Sequence, residues 1–233
     1  MVRPYAIKDK MKKCERHDKE EEEEEEEEGK DGSFEIDYGI PIPLAQSQQT
    51  SLKSQPGVIF VLERASLEVA KVGKALLAIL DSPLNKAGRL KGLYIRTEKG
   101  VLIEVKPKTH LPRTSKRFYG LMSQLLQKLS IKDEKTHTKL LRVIKNPVTQ
   151  YLHVNSHKIG FSSSSEKLIK MKDYVHKFES DRDIVFVVGV MAHGKIEPDY
   201  HIDDFIAVSN YSLSAACCST MICQSLEEKW NIF

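Results

Sequence analysis

The segment GVMAHGK, Gly189 to Lys195, has the residue types and spacing of a loop that binds nucleotide phosphates. It matches the first seven positions of the motif GxxxxGK[ST], in which backbone N–H groups and a lysine contact the phosphates. The eighth position needs a hydroxyl group that ligates magnesium, and here it is Ile196. Pro198 stands where the following helix would need a backbone donor. These two residues argue against a nucleotide-hydrolysing enzyme. The glycines therefore either serve another ligand or only end a strand and form a turn.

A second loop of similar character, VSNYSLSAA at Val208–Ala216, favours the ligand interpretation. Both loops follow an apolar strand, and the carboxyl ends of neighbouring strands in an open α/β sheet form the usual ligand crevice. The helix predicted from Ser214 offers free backbone N–H groups to a carboxylate or a ring nitrogen. His193 has the chemistry of a general base, although a structural hydrogen bond is the more common role of a loop histidine.

The elements that must position these loops begin near Val58, where an apolar run predicts a buried strand. A helix capped by Ser66 follows and ends at Pro83. Alternation on both sides of TEKG then predicts a β-hairpin. The folded body therefore opens with a strand, a helix and a hairpin.

Helices and strands continue to alternate towards the C-terminus. A helix is predicted from Thr114 or Ser115, with Leu121, Leu125 and Leu129 on one face. The next apolar segment, KLLRVIKNP, is predicted to be a strand or a helix, and an amphipathic segment, EKLIKMKDYVHKF, follows it. A buried strand is then predicted for DIVFVVG. The pattern after it predicts a strand, a loop and the start of a helix in FIAVSNYSLSAACC. This order predicts an α/β protein with a mostly parallel sheet and a β-hairpin insertion.

Charge is distributed unevenly along the 233 residues. The whole chain carries a net charge of +3, but residues 1–30 carry 8 basic and 12 acidic residues, whereas Lys86 to Lys145 carries 16 basic and 4 acidic residues. A solvated surface explains most such runs. Here the basic segment also contains Tyr94, His110, Phe118 and Tyr119, which makes a polyanion such as a phosphate backbone an equally good partner.

Residues 1–52 are predicted to form a disordered, charged tail that precedes one folded domain at 53–233. Nine consecutive glutamates, Glu20 to Glu28, repel one another and bury nothing. The tail either adds solubility, competes with RNA for the basic segment, or binds basic ribosomal proteins.

Composition also excludes several classes of protein. No apolar run approaches the ~20 residues of a membrane span, and the N-terminus lacks the apolar segment of a secretory signal. Cys14, Cys217, Cys218 and Cys223 form no CxxC pair, which argues against zinc and disulfides. We therefore expect neither a metal nor a membrane partner.

Six motifs in one order make a family recognisable: VIFVLERASLEVAKVGK, LDSPLNKAG, VLIEVKPKTHLPRTSKRFYGLM, KLLRVIKNPV, VVGVMAHGK and VSNYSLSAA. From about Gly57 to the C-terminus, the chain resembles the nucleolar essential protein family. These are SPOUT-class methyltransferases that act on pseudouridine in small-subunit ribosomal RNA. The resemblance implies a mostly parallel sheet with a deep C-terminal trefoil knot. It also implies a homodimer, S-adenosylmethionine as methyl donor, and methylation of ring nitrogen 1 of one pseudouridine.

The resemblance also implies which residues form the binding sites and in which cellular setting the protein acts. The cofactor positions are Gly189, Gly194, Val208, Ser209, Asn210, Tyr211, Ser212 and Leu213. The rRNA contacts are His110, Arg113 and Arg117, and the family usually has arginine at the first of these, so His110 should weaken that phosphate contact near neutral pH. The implied setting is small-subunit biogenesis in the nucleolus of the nucleus, among ribosomal proteins or assembly factors.

One segment of the family pattern is missing. The family carries several dozen residues, with an Arg-Pro-Asp motif that shapes the active site, where this chain passes directly from Lys74 to Ala75. We therefore assign no catalytic residue. Two functions follow: an rRNA pseudouridine methyltransferase, or a non-catalytic RNA-binding assembly factor that retains the cofactor pocket.

Overall fold

The computed structural model describes residues 55–66, 70–153, 155–162, 165, 167–178, 182–191, 196 and 198–232. The predicted tail at residues 1–52 lies outside the described residues. The strands are β1 (Val58–Ala65), β2 (Leu90–Thr97), β3 (Leu102–Val105), β4 (Ser130–Lys132), β5 (Lys139–Ile144), β6 (His157–Phe161), β7 (Ile184–Gly189) and β8 (Asp204–Ile206). The helices are α1 (Ala70–Leu80), α2 (Pro83–Lys86), α3 (Ser115–Lys128), α4 (Met171–Val175) and α5 (Ala215–Lys229).

The eight strands form one sheet in the order β4-β5-β3-β2-β1-β7-β6-β8. Strands β2, β1, β7, β6 and β8 run parallel to one another, whereas β3, β5 and β4 add antiparallel pairs at one side. The sheet is therefore mixed. Its parallel half includes β7 and β8, the two strands that precede the predicted ligand loops. Its antiparallel half is joined to the parallel half by the β2–β3 hairpin.

Both faces of the central strand β1 are buried, as its unbroken apolar run predicts. Phe60 and Leu62 belong to the core cluster that includes apolar residues of α1, α3, α4 and α5. Ile59 and Val61 belong to a second cluster on the other face, together with residues of a 3₁₀ turn at Val148–Tyr151 and of the segment around Ile196–Ile202. The loop after β7 therefore covers one face of the sheet.

Several predicted elements are confirmed, with shifts that have a physical cause. The hairpin is present as β2 and β3, and KLLRVI is the strand β5. Pro83 begins α2 rather than only ending the previous helix, because Ser82 accepts a hydrogen bond from the Asn85 N–H and proline fits the first helical position.

The buried stripe of α3 differs from the predicted one. Phe118, Met122 and Leu125 are buried. Leu129 is 59% exposed, because it ends α3 in the left-handed conformation and so leaves the helical face. The amphipathic segment near α4 is helical only at Met171–Val175, since Leu168 instead bridges Ala207 in parallel.

The predicted trefoil knot stays a prediction, because residues 163–164, 166, 179–181, 192–195 and 197 lie outside the described residues. No described helix is long and apolar enough to cross a membrane.

Asp183 joins three strands at their amino ends. Its Oδ1 accepts hydrogen bonds from the Gly57 N–H at 2.8 Å and from Lys91 Nζ at 2.6 Å, and its Oδ2 contacts His153 Nδ1. Burial alone would raise the pKa of Asp183, but these hydrogen bonds, with the Lys91 charge, hold it below its ordinary value. The ionised carboxylate therefore stabilises the entry to β1, β2 and β7.

We expect Asp183→Asn to lower the free energy of unfolding by about 2 kcal/mol at pH 7, because it weakens charge-assisted hydrogen bonds. The folded-state pKa lies below the unfolded one, so the stabilisation is lost as the pH falls through the folded pKa. Urea unfolding at pH 7 and at progressively lower pH should show the difference from the unmodified chain narrowing in acid. The exposed Asp81→Asn is the control, and an equal effect of the two changes would contradict the assignment.

Candidate functional site

A cavity of about 240 Å³ lies at the carboxyl ends of β7, β6 and β8, beside the start of α5. Its lining residues are Phe161, Ser162, Val188, Gly189, Met191, Ile196, Ile206, Ala207, Val208, Ser209, Tyr211, Ser212, Leu213, Ala215 and Cys218. We call this cavity the strand-end pocket. It occupies the place where an open α/β sheet usually binds its ligand.

Six of the predicted cofactor residues come together here: Gly189, Val208, Ser209, Tyr211, Ser212 and Leu213. Asn210 belongs to the same loop but is not part of the lining. Gly194 and His193 lie outside the described residues. The structure thus brings the ends of two strands to one pocket, as the sequence predicts, while cofactor binding by these residues stays a prediction.

The loop from Ala207 to Ser214 is shaped mainly by main-chain hydrogen bonds. Ala207 donates to the carbonyl of Lys167 and accepts from the N–H of Ile169, both at 2.9 Å. The Tyr211 N–H donates to Ser209 Oγ at 3.0 Å and folds the tip of the loop, while the Tyr211 side chain is 80% exposed. This leaves a pocket wall of backbone and small side chains.

Ser214 caps α5, as predicted. Its Oγ accepts a hydrogen bond from the Cys217 N–H at 3.2 Å. Ala215, the first residue of α5, lines the pocket, so the positive end of the helix dipole lies beside it. The pocket therefore has a partial positive charge at one end.

Gly189 has a packing requirement that the sequence does not reveal. A Cβ at this position would lie 2.9 Å from Ile196 Cγ1 and 3.1 Å from Met191 Cε. In this structure the space that the glycine leaves is therefore taken by two side chains of the following loop. Ile196, the residue that breaks the phosphate-loop motif, is itself part of the pocket lining.

Sequence reasoning missed the residues that β6 and α5 contribute. Phe161 and Ser162 reach the pocket from the end of β6, a strand that HKIGF signals weakly because it is short and begins with polar residues. Cys218 comes from α5, and burial, reinforced by the neighbouring Cys217, raises the pKa of its thiol to about 11. The thiol is therefore protonated at neutral pH and provides an apolar surface, not a nucleophile.

The predicted RNA contacts lie on the other half of the sheet. His110 and Arg113 are in the loop between β3 and α3, Arg117 is in the first turn of α3, and all three are exposed. Thr109 fixes this loop, since its Oγ1 donates to the Leu140 carbonyl at 3.1 Å. Strands β2 and β1 separate β3 from β7, a spacing of about 14 Å across the sheet.

Part of the positive charge near this loop is already neutralised. Glu104 is buried and accepts hydrogen bonds from Lys106 Nζ at 2.7 Å and from Arg142 Nε. Burial would raise the pKa of Glu104, but these two cations hold it below its ordinary value. The exposed cations Arg113 and Lys116 are better placed for an external anion.

A second cavity, of about 500 Å³, lies between α3 and the ends of β1 and β2. Its lining is mainly apolar along α3, with Tyr119, Met122 and Leu126, and it includes Ala65 and Ser66 at the end of β1. Tyr119 and Leu126 are 37% and 44% exposed. We call this cavity the α3 groove. Over the described part of the chain, no three His, Cys, Asp or Glu side chains are grouped so as to hold a metal ion.

Comparison with known proteins gives a consistent result. The model of the EMG1/NEP1 methyltransferase family matches residues 72–227. The chain is 41% identical over 206 residues to the ribosomal RNA small subunit methyltransferase NEP1 of Mus musculus, covering 75% of this chain and 82% of that protein. It is 46% identical over 161 residues to the protein of the same name from Candida albicans, covering 69% of this chain and 60% of that protein.

A solved structure agrees with the fold. Nep1 of Archaeoglobus fulgidus, bound to S-adenosylhomocysteine, superposes with a TM-score of 0.60 at 16% identity and covers 76% of this chain and 99% of that chain. The predicted SPOUT-type α/β fold is confirmed at this level.

We expect Gly189→Ala to lower the free energy of unfolding by about 1–3 kcal/mol, because the added methyl group meets Ile196 and Met191. Gly120→Ala is the matched control: a Cβ there meets nothing within 4 Å, and alanine favours α3 by about 0.5–1 kcal/mol. Urea denaturation measures both changes. Ile196→Ala removes the contacting Cγ1 and Cδ1 atoms, so the double variant Gly189→Ala/Ile196→Ala should lose less free energy of unfolding than the sum of the two single variants. Additive losses would contradict this contact.

Proposed function

Because the chain belongs to the EMG1/NEP1 methyltransferase family, we propose that it transfers a methyl group from S-adenosylmethionine to ring nitrogen 1 of a pseudouridine in small-subunit rRNA. The observation that carries this proposal is the convergence of the loops after β7 and β8 on the strand-end pocket. Over the described residues, main chain and small or apolar side chains line it.

The pocket residues fit S-adenosylmethionine by their chemistry. Ile206, Val208 and Leu213 offer an apolar slot for an adenine ring, and main-chain groups of the Ala207–Ser214 loop are suited to its ring nitrogens. Ser162, Ser209 and Ser212 supply hydroxyl groups for ribose or for the amino-acid part of the donor. The start of α5 favours a carboxylate.

The proposed reaction depends mainly on position. When bound, S-adenosylmethionine supplies a methyl group activated by its sulfonium sulfur. The protein must hold ring nitrogen 1 close to that methyl group and let the nitrogen lose its proton. We assign no catalytic residue, since the family's Arg-Pro-Asp motif is absent from the sequence and Cys218 is protonated.

We propose that the RNA binds along the loop before α3, through His110, Arg113 and Arg117. Their exposure and the charge of the segment from Lys86 to Lys145 support this. Within one chain these residues are not part of the strand-end pocket. We also propose a homodimer, as the family resemblance implies.

The setting proposed for this activity is biogenesis of the small ribosomal subunit. The relatives are named for the rRNA of that subunit. We also propose a nuclear, nucleolar location and contacts with ribosomal proteins or assembly factors, as the family resemblance implies. We assign the binding of such basic partners to the glutamate run at Glu20–Glu28.

We also propose that this chain lacks an internal segment of its relatives at the junction Lys74–Ala75. The alignment with the mouse protein runs over 206 residues but takes in 75% of this chain; 75% of 233 is about 175, so about 30 positions of the relative have no counterpart here. The family model begins at residue 72, two residues before the junction, although β1 lies upstream of it. Both observations support a gap near Lys74.

The α3 groove is the place we assign to that missing segment. The chain leaves β1 at Ser66, which lines the groove, and reaches the junction eight residues later. An apolar groove with half-exposed Tyr119 and Leu126 is what the loss of a packed segment would leave. In relatives the segment would cover these residues and add its Arg-Pro-Asp motif beside the ends of β1 and β2.

Methyl transfer to an rRNA hairpin with one pseudouridine tests the activity, with the uridine hairpin as substrate control. We expect slow but measurable transfer by this chain, and restoration of fast transfer when the mouse segment is inserted between Lys74 and Ala75. An insertion of equal length in glycine and serine should not restore transfer. The inserted mouse segment should also reduce binding of an apolar dye, because it covers the α3 groove.

The outcomes separate the alternatives. If the chain binds S-adenosylmethionine and the hairpin but neither it nor the chimera transfers methyl groups, the enzymatic proposal fails and the non-catalytic assembly factor is favoured. Full transfer by the chain without an insertion would contradict the role of the missing segment and support the enzyme.

We expect Arg113→Ala and Arg117→Ala each to weaken hairpin binding and to reduce the slope of log affinity against log salt by about 1, as for loss of one phosphate contact. His110→Arg should strengthen binding. Lys71→Ala, an exposed cation on α1, is the control for general charge loss. Fluorescence anisotropy at several salt concentrations measures these effects, and equal losses for Arg113→Ala and Lys71→Ala would contradict a defined RNA surface.

A further inference from the structure

One buried residue, Glu63, holds both ends of the loop that follows β7. Its carbonyl oxygen accepts a hydrogen bond from the Val190 N–H at 2.9 Å, at the start of the loop. Its carboxylate Oε1 accepts from the Tyr200 hydroxyl at 3.0 Å, near the end of the loop. Between these two points the chain contributes Met191 and Ile196 to the strand-end pocket. Glu63 itself lies opposite Gly189 in the β1–β7 register.

Arg96 of β2 adds a second connection to the same loop. Its guanidinium donates two hydrogen bonds to Asp199, at 2.5 Å and 2.9 Å, and the same group lies 3.9 Å from Glu63 Oε1. Asp199 directly precedes Tyr200, so the end of the loop is joined to both central strands β1 and β2. The four residues Glu63, Arg96, Asp199 and Tyr200 form what we call the carboxylate bridge.

The fold alone gives little reason for a carboxylate at this position. Glu63 is 3% exposed, and burial raises its pKa, although the Tyr200 hydrogen bond and the Arg96 charge oppose that rise. An ionised group in such a place costs stability that an apolar residue would not. The described side chains that offset this cost are Tyr200, which belongs to the end of the loop, and Arg96, which is itself bonded to Asp199 of the loop.

Movement at Tyr200 would be transmitted to the pocket. Tyr200 and Ile196 pack in the same cluster on that face of the sheet, and Ile196 also lies against Gly189. A loop end that is displaced by an ångström or so therefore shifts Ile196, which lines the pocket. Cores transmit such displacements because they are close-packed.

We infer that Glu63 is a positioning residue for the methyl-donor pocket, acting through Tyr200 and assisted by the Arg96–Asp199 pair, which together fix the described ends of the loop at Val190 and Tyr200. This inference rests on the proposed function, because it takes the strand-end pocket as the donor site. Glu63 contacts neither pocket ligand nor substrate in this role. It determines the positions of the Ile196 and Met191 side chains in the lining of the strand-end pocket.

The experiment compares Tyr200→Phe, Glu63→Leu and Glu63→Gln with the unmodified full chain. Isothermal titration with S-adenosylmethionine should show the dissociation constant rising about tenfold for Tyr200→Phe, which loses a hydrogen bond to a charged group. Glu63→Leu should have at least the same effect. Glu63→Gln keeps a neutral acceptor for Tyr200 and should recover part of the affinity. Hairpin RNA affinity should stay within about twofold of the unmodified chain, since the RNA residues lie elsewhere.

Tyr151→Phe is the matched control. Tyr151 is half-buried on the same face of the sheet and stacks on Tyr94, but its hydroxyl makes no hydrogen bond to the described residues. In the chimera that carries the mouse segment, Tyr200→Phe should raise the KM for the donor while kcat falls much less. A residue needed only for stability would not produce this split.

A second measurement keeps this inference separate from the proposed function. Hydrogen exchange of the peptide spanning 190–203 should be faster in Tyr200→Phe and Glu63→Leu than in the unmodified chain or Tyr151→Phe. If the unmodified chain binds no donor, the proposed function fails, and exchange still decides whether Glu63 holds the loop. Unchanged exchange with unchanged donor affinity would overturn the inference. The inference would also be overturned if the variants lost affinity for the donor and for the RNA in equal measure, because equal losses indicate general unfolding.

Discussion

The parallel pairing of β1 with β7 is the constraint on which the rest of this structure depends. Its register sets Val58 opposite Ile184 and Glu63 opposite Gly189. Because side chains alternate along a strand, this register places Phe60 and Phe186 together on the helix-covered face, with ring centroids 5.7 Å apart. A shift of one residue would exchange the two faces of one strand and separate these rings. The β1–β7 register therefore determines both which side chains form the core and where the candidate site lies.

That register also explains why charged side chains lie beside the strand-end pocket. The described part of the strand-end pocket's lining holds no charged side chain, whereas Glu63, Arg96 and Asp199 meet close to it, at the loop that forms one of its sides. Charged groups thus hold the backbone in position, and main-chain and apolar groups meet the ligand. This arrangement suits a reaction in which position contributes more than acid–base chemistry.

The two halves of the sheet carry different properties. Parallel strands β7, β6 and β8 bring their carboxyl ends to the strand-end pocket, while antiparallel strands β3, β5 and β4 lead to the basic loop and α3. Within the antiparallel half, Glu104 forms ion pairs with Lys106 and Arg142 and so offsets one of their two positive charges. The α3 groove lies between the two halves, at the ends of β1 and β2, where the chain approaches the junction at Lys74.

The sequence by itself determined the apolar strands, the hairpin around TEKG, the Ser214 cap, and the two loops whose order along the chain marks the family. These features are local, so propensity, alternation and spacing are enough to recognise them. Only the tertiary structure decided that Ile196 fills the space over Gly189, that Phe161 and Cys218 complete the pocket, and that Glu63 contacts Tyr200, 137 residues away. These contacts join segments remote in sequence, and no local pattern in one chain specifies which side chains the folded sheet brings together.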